Sequence, residues 1–251
     1  MTARIAVVTG GSRGIGRSAV NHLAADGIDV VFTYNSDAEA AKAVVDEAGK
    51  TGAKVSAVQL DVSDTDSLDG FADQVRAELS ARDADRFDYL VNNAGIWHTA
   101  SFAETTVDDL DRLYAVNIRG VFFVTQKLVP LLADGGRIVN LSSGLTRFTF
   151  PGKIAYGALK GAIEPMTRYL AAELAPRGIT VNTLAPGATA TDFSGGMIRD
   201  NPEYRKQVGA ITALGRPAEA DDIGRVIASL VSDEMGWING ERIEASGGMK
   251  L

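Results

Sequence analysis

The chain has 251 residues, 45% of them apolar, with 25 Lys and Arg against 32 Asp and Glu and a net charge of −7. It has no cysteine and two histidines, His22 and His98, which excludes disulfide and thiolate chemistry and leaves no ordinary zinc ligand set, so no metal is expected. The acidic balance argues against a nucleic-acid or anionic-membrane surface, and no apolar run reaches the roughly 18 residues a membrane span needs.

The length suits one domain over residues 1–251, large enough to bury a core without staples. The chain enters a strand-like run at once, so a secretory leader is not expected. Together with the missing cysteines this points to the cytoplasm.

In chain order, short apolar runs alternate with longer amphipathic stretches. Strands are expected at 5–8, 30–34, 55–60, 89–91, 138–141, 180–184 and 243–245. Helices are expected at 15–26, 37–49, 65–80, 107–133, 154–175 and 219–232, with starts at Asp64-Thr65 and Pro217-Ala218. Several strands are apolar throughout, as in a sheet covered on both faces. The repeated β-α-β order predicts right-handed crossovers and an α/β fold: a doubly wound parallel sheet in three α/β/α layers. Ligands of such sheets bind beyond the carboxyl ends of the strands.

The first of those ends reads Thr9-Gly10-Gly11-Ser12-Arg13-Gly14-Ile15-Gly16. Gly10 can make the tight turn, Gly14 can let the backbone approach a pyrophosphate, and Gly16 can let helix and strand pack closely. An ordinary β-α turn is the plain alternative, but the strand-turn-helix context that the phosphate reading requires is present.

Other landmarks follow in order. Asp61-Val62 closes the third strand and Asn92-Asn93-Ala94-Gly95 the fourth. Asn117 lies in the long helix, Ser143 follows the fifth strand, Tyr156 and Lys160 open the next helix, and Pro186-Gly187 ends the sixth strand. With the glycine turn, these residues resemble the short-chain dehydrogenase/reductase family over nearly the whole chain. The resemblance implies the Rossmann-type form of the doubly wound sheet and a dinucleotide in the cleft. It places Gly10, Ser12, Arg13, Gly14, Ile15, Gly16, Asp61, Val62, Asn93, Ala94, Gly95, Tyr156, Lys160, Pro186, Gly187, Thr189 and Thr191 around that cofactor. Asp61 would accept from the adenine amino group, although as a bare feature it could equally cap a helix. The Asn92-Asn93 pair could likewise be a plain turn.

No carboxylate closes the second strand at Tyr34, where an NAD-binding chain usually carries one. Arg13 can reach a 2′-phosphate with charge-assisted hydrogen bonds, and Asn35 and Ser36 add uncharged donors. The expected cofactor is therefore NADP(H).

Tyr156 and Lys160 stand four apart, on one helical face. A free phenol has a pKa of about 10, too high for proton transfer near neutrality. A nearby ammonium lowers it. The family resemblance implies a catalytic set of Asn117, Ser143, Tyr156 and Lys160. Ser143 would polarise the substrate oxygen, Tyr156 protonate it, Lys160 tune the tyrosine and hold ribose hydroxyls, and Asn117 feed a water. Ser142 is adjacent, and family spacing and strand phase favour Ser143.

Trp97, Leu145, Phe150 and Phe193 are candidate pocket walls, with Phe148 beside them and His98 at the rim; core or lid packing is the alternative for each. Residues 194–207 are expected to form a lid hinged at Ser194-Gly195-Gly196. The resemblance implies reduction of a ketone or aldehyde by NADPH, as a cytoplasmic homotetramer acting on a small molecule. A 3-oxoacyl-acyl-carrier-protein reductase is the alternative. Arg177 matches one carrier-binding position, but the segment before Gly136-Arg137 lacks the basic residues wanted there, and the net charge of −7 would not steer an acidic carrier. A non-catalytic nucleotide sensor is more remote, since such members generally lose Tyr or Lys.

Overall fold

The computed structural model describes residues 3–251. Five β-α units supply most of the chain: β1 (Ile5–Val8), α1 (Gly14–Ala25), β2 (Asp29–Tyr34), α2 (Ala38–Ala48), β3 (Val55–Gln59), α3 (Leu68–Ser80), β4 (Phe87–Asn92), α4 (Val107–Tyr114), α5 (Val121–Leu128), β5 (Leu132–Leu141) and α6 (Ile154–Leu174). The remainder holds β6 (Thr180–Pro186), β7 (Thr189–Ala190), α7 (Met197–Asp200), α8 (Pro202–Ala210), β8 (Ala218–Glu219), α9 (Ala220–Val231) and β9 (Arg242–Ala245).

Seven strands form one parallel sheet in the order β3-β2-β1-β4-β5-β6-β9. The order reverses between β1 and β4, and this switch point opens a crevice at their carboxyl ends. Alternate residues of β1 face opposite layers, as strand geometry demands. Ala6 and Val8 pack with Val20, Leu23, Ile223 and Ile227 of α1 and α9. Ile5 and Val7 pack with Phe71, Val75, Val124 and Leu128 of α3 and α5. Both faces are thus dry, and the strands read as continuous apolar runs. No helix among the described residues is long and apolar enough to cross a membrane.

Helix starts follow local chemistry. Asp37 caps α2 by accepting from the Ala40 amide at 2.9 Å. Thr106 and Asp109 close a capping box on α4, and Glu219 and Asp222 close one on α9. The last helix thus starts at Ala220, two residues beyond the expected Pro217-Ala218, because Glu219 is the residue able to cap it. Residues 65–67 form a 3₁₀ turn capped by Asp64 rather than the first turn of α3.

The expected single helix over 107–133 is divided. A π-helical segment, Ala115–Gly120, separates α4 from α5, and a 3₁₀ turn, Val129–Leu131, ends the run. Pro130 stands in that turn and has no amide to continue the ladder. Leu132 already pairs with Phe87 as the start of β5. The two-stranded pairing of β7 with β8 was not foreseen. It ties Thr189 and Ala190 to the approach of α9.

Candidate active site

One cleft of about 580 Å³ runs along the carboxyl ends of the strands. At one end stands the glycine turn. Gly10 and Gly14 have φ of +67° and +54°, which favour glycine. A Cβ on Gly16 would fall on the Gly10 carbonyl and 2.5 Å from Asn93 Nδ2. Asn93 holds this turn from β4: its side-chain amide donates to the carbonyls of Thr9 at 3.0 Å and Gly10 at 2.9 Å. Thr9 Oγ1 in return accepts from the Asn93 and Ala94 amides, each at 3.0 Å. Asn92-Asn93 is therefore more than a plain turn, and Asn93 acts on the loop backbone as well as lining the cleft.

The start of α1, whose N-cap is Arg13, carries neither a side-chain cap nor a first-turn acid, like those of α5 and α6. α2, α4 and α8 each carry a side-chain cap and a first-turn acid. The free amides and positive dipole end of α1 thus face the cleft uncompensated, as an anion site requires. The Arg13 side chain is 75% exposed and its Nη1 lies 3.2 Å from Asp192 Oδ2.

Along this half the lining includes Tyr34, Asn35, Asp61, Val62, Ala94 and Gly95. Asp61 accepts from the Ser63 amide and hydroxyl at 2.9 and 2.7 Å. It leaves the helix-capping task to Asp64, which removes the cap alternative. Ser36 does not line the cleft: it falls in the exposed turn between Asn35 and the α2 cap. On the other side Pro186, Gly187, Thr189 and Thr191 complete the wall. A Cβ on Gly187 would lie 2.8 Å from the Ser246 Cα. Ala245, the last residue of β9, accepts from Gly187 N at 3.0 Å.

Midway stand Tyr156 and Lys160, 6% and 4% exposed, on the first turns of α6. Lys160 Nζ donates to Leu141 O at 2.9 Å and lies 6.0 Å from the centre of the Tyr156 ring. The Ser143 and Ser142 hydroxyls diverge. Ser142 Oγ donates to Lys160 O at 3.0 Å, so it is engaged in fixing α6. Ser143 Oγ accepts from Leu145 N at 3.2 Å and keeps its own proton for the cleft, facing Tyr156.

Asn117 is fully buried and does not line the cleft. It occupies the π-helical segment and pairs with the backbone of Ile96, accepting from N at 3.1 Å and donating to O at 3.0 Å. The widened turn supplies the bend that a mid-helix asparagine suggests.

Burial dominates the titration of the central pair. It pushes the Tyr156 phenol up from 10, with Ser143 pulling the other way. It pushes Lys160 down to about 8. Burial is the largest influence on both groups, because each charged form loses water in the same enclosed place.

The far end is aromatic. The Trp97 ring meets Tyr156 edge-on at 4.8 Å and Phe193 at 6.1 Å. Phe148 and Phe150 pack at 5.8 Å and join Leu145, Val208, Tyr204 and Met249 in a small cluster of their own. The pocket walls Trp97, Leu145, Phe150 and Phe193 all line the cleft, with Phe148 beside them. His98 instead faces Asp109 at 3.4 Å, outside the lining. The expected lid is two short helices, α7 and α8, after three residues of positive φ, Ser194, Gly195 and Gly196. Lys153, Tyr204 and Met249 line the cleft without having been singled out in the sequence. Met249 comes from the far C-terminus, and Lys153 sits three residues before Tyr156, a spacing that could have pointed to it. Arg177 is spent locally on Asp134 at 2.7 Å and on the carbonyls of Val129 and Leu132. No group of three metal-ligating side chains occurs among the described residues.

Comparison with known proteins supplies a context. Residues 10–250 match the family model described as enoyl-(acyl carrier protein) reductase. The chain is 38% identical to an uncharacterized oxidoreductase of Methylorubrum extorquens, covering 100% of this chain and 99% of the relative. It is 36% identical to an NADPH-dependent aldehyde reductase-like chloroplastic protein of Arabidopsis thaliana, covering 99% and 94%. It is also 36% identical to a 3-oxoacyl-acyl-carrier-protein reductase of Staphylococcus aureus, covering 98% of each. Among solved structures, a short-chain dehydrogenase/reductase of Serratia marcescens aligns with a TM-score of 0.92 at 35% identity, over 99% and 98% of the chains. A short-chain dehydrogenase of Burkholderia cenocepacia in complex with NADP aligns at 0.89 and 38%, over the same shares.

Proposed function

Because the chain belongs to the short-chain dehydrogenase/reductase family of oxidoreductases, we propose that it reduces a ketone or aldehyde to an alcohol with NADPH. The observation that carries this reading is the convergence, in one cleft, of an uncapped helix start at one end and the buried pair Tyr156 and Lys160 beside Ser143 in the middle.

The residues present suit a dinucleotide phosphate. The α1 amides and the glycine turn offer an anion cradle that a Cβ on Gly16 would fill. Arg13 and Asn35 would hold the 2′-phosphate, with no carboxylate at Tyr34 to repel it. Asp61, Val62 and Ala94 would hold the adenosine, and Lys160, Pro186, Gly187, Thr189 and Thr191 the nicotinamide half. Relatives described as NADPH-dependent, or solved with NADP, support this choice.

Bound there, NADPH supplies the hydride. Ser143 donates its hydroxyl proton into a hydrogen bond with the substrate oxygen, where negative charge develops. Tyr156 gives its proton to that oxygen. A group kept protonated by burial is suited to donate, and the charge arriving on the substrate draws the proton across. Lys160, anchored on Leu141 O, lies close enough to stabilise the phenolate left behind. Asn117 fixes Ile96 and with it the floor of the cleft. Trp97 and Phe193 exclude water from the tyrosine.

A free carbonyl substrate ranks above an acyl-carrier thioester because Arg177 is engaged within the fold and the net charge of −7 opposes an acidic carrier. The cytoplasm is the proposed location. A homotetramer is the proposed assembly, joined through the exposed apolar residues of α4, α5 and α6: Leu110, Tyr114, Phe122, Phe123 and Tyr169.

The test is NADPH consumption over a panel of free ketones, aldehydes and a β-ketoacyl thioester. Tyr156→Phe is expected to lower kcat by about a thousandfold, at the scale of a lost acid catalyst, while NADPH binding persists. Turnover confined to the thioester would overturn the ranking. Unchanged turnover in Tyr156→Phe would overturn the mechanism.

A further inference from the structure

The substrate end of the cleft contains one charged side chain that the proposed reaction does not use. Arg13, Asp61 and Asp192 line the opposite, nucleotide end, and Lys160 is held beneath Tyr156. Around the aromatic end, Trp97, Phe148, Phe150, Phe193, Met197 and Met249 are apolar, and Lys153 alone is ionic.

Its position is built. Lys153 Nζ lies 4.0 Å from the centre of the Trp97 ring and donates to Thr99 Oγ1 at 2.6 Å. The same Trp97 ring touches Tyr156, so one aromatic residue separates the ammonium from the proposed proton donor. The segment carrying Lys153 is strapped to the loop carrying Trp97 by the Ala100 amide, which donates to Gly152 O at 3.2 Å. Gly152 is in the positive-φ region at +75°. No carboxylate among the described residues pairs with Lys153. α6 begins immediately after it with no side-chain cap and no acid in its first turn, so the helix adds positive potential at the same place.

We propose that this pocket takes an oxo acid, a carbonyl compound with an apolar body and a carboxylate, and that Lys153 binds the carboxylate. The proposal rests on the reductase reading above and names its substrate class. The ammonium has three donors, of which Thr99 takes one, and a carboxylate is the partner that a half-buried, unpaired cation lacks. Burial alone pushes Lys153 below the usual lysine range, and an anionic ligand reverses that penalty. The aromatic wall holds the apolar body.

The experiment uses α-oxo and γ-oxo carboxylates carrying a phenyl group, each against its ethyl ester, and acetophenone as the neutral ketone. The full chain is compared with Lys153→Met, Lys153→Arg and Lys250→Met. Lys250 is a surface cation stacked on Phe150 at 3.9 Å that does not line the cleft. At least one acid is expected to exceed its ester in kcat/KM by about tenfold or more. Lys153→Met should raise KM for that acid by about ten- to hundredfold, the scale of one lost charged hydrogen bond. Its kcat, the ester and the ketone should hardly change. Lys153→Arg should restore most of the affinity, and Lys250→Met should behave as the parent.

Equal use of acid and ester overturns the proposal, as does an equal loss of both in Lys153→Met, which would mark Lys153 as a support for Trp97. Turnover of acetophenone without any acid overturns it and leaves the reductase reading intact. If no carbonyl is reduced, that reading fails, and calorimetric titration of the same carboxylates decides the binding claim. Lys153-dependent binding then upholds the anion site, and its absence removes both.

Discussion

Arg13 Nη1 lies 3.2 Å from Asp192 Oδ2, which joins the glycine turn to the residue that precedes the hinge of α7 and α8. Arg13 is 75% exposed, so this pair contributes little to stability, and its guanidinium is available to a phosphate. Arg13→Gln is expected to raise KM for NADPH by about tenfold or more, the worth of a charge-assisted hydrogen bond. KM for NADH and the melting temperature should stay near the parent values. Steady-state kinetics with both nucleotides check this, and an equal rise for both would place Arg13 on the shared pyrophosphate.

Two glycines should respond in opposite ways to the same change. Gly16→Ala drives a methyl group into the Gly10 carbonyl and Asn93. It should destabilise the fold by roughly 2 kcal/mol or more, as overpacking against backbone does, and weaken nucleotide binding. Gly70, exposed in α3 with nothing within 4 Å of an added Cβ, should gain about 0.5–1 kcal/mol as alanine. Urea unfolding of both variants measures the contrast.

The buried pair predicts an alkaline stability profile. Lys160 sits at about 8 in the fold against 10.5 for an ordinary lysine. Between those values the unfolded chain binds a proton that the folded chain has released, so this residue makes stability rise with pH across that window. Below about 8 both states are charged and the full burial penalty applies. Tyr156 acts in reverse: burial raises its pKa above 10, so from pH 10 upward the unfolded chain loses a proton that the folded chain keeps, and stability falls. Lys160→Met should remove the rising limb and raise stability at pH 7 by roughly 1–3 kcal/mol after loss of the Leu141 hydrogen bond. Tyr156→Phe should remove the contribution of Tyr156 to the falling limb. Denaturant titrations from pH 6 to 11 compare the three proteins.

Thr167 closes a buried polar chain below the cleft. Its Oγ1 accepts from Asn140 Nδ2 at 3.0 Å and Thr183 Oγ1 at 2.8 Å, and Asn140 Oδ1 accepts from Asn92 at 2.8 Å. The chain fastens α6 to β4, β5 and β6. Thr167→Val keeps the shape but strands two buried donors, at a cost of about 2–4 kcal/mol. Differential scanning calorimetry measures the loss. A change under about 0.5 kcal/mol, the range of a neutral surface substitution, would mean that the neighbours find other partners.

The alternation of apolar runs with amphipathic stretches made the strand order along the chain legible, because a sheet buried on both faces makes most strand positions apolar. The break in 107–133 was not legible. Asn117 marked a bend, but the π-helical turn depends on the pairing of its side chain with Ile96, a residue 21 positions away. Pro130 was visible in the sequence, yet the start of β5 at Leu132 depends on Phe87 across the sheet. Ser36 was placed at the cofactor beside Asn35, and in the fold it stands in the exposed turn before α2, outside the cleft lining.

By itself the sequence determined the fold class, because strand patterning is a local rule. It put forward the glycine turn by its strand-turn-helix context and the Tyr156 and Lys160 pair by its four-residue spacing, while Ser143 rested on the family resemblance. Only the tertiary structure decided the charge balance and the substrate end. Burial, which no local pattern encodes, raises the phenol and lowers the lysine. Distant segments at Trp97, Lys153, Tyr204 and Met249 become one wall only when the sheet brings its strand ends together and the C-terminus folds back across them.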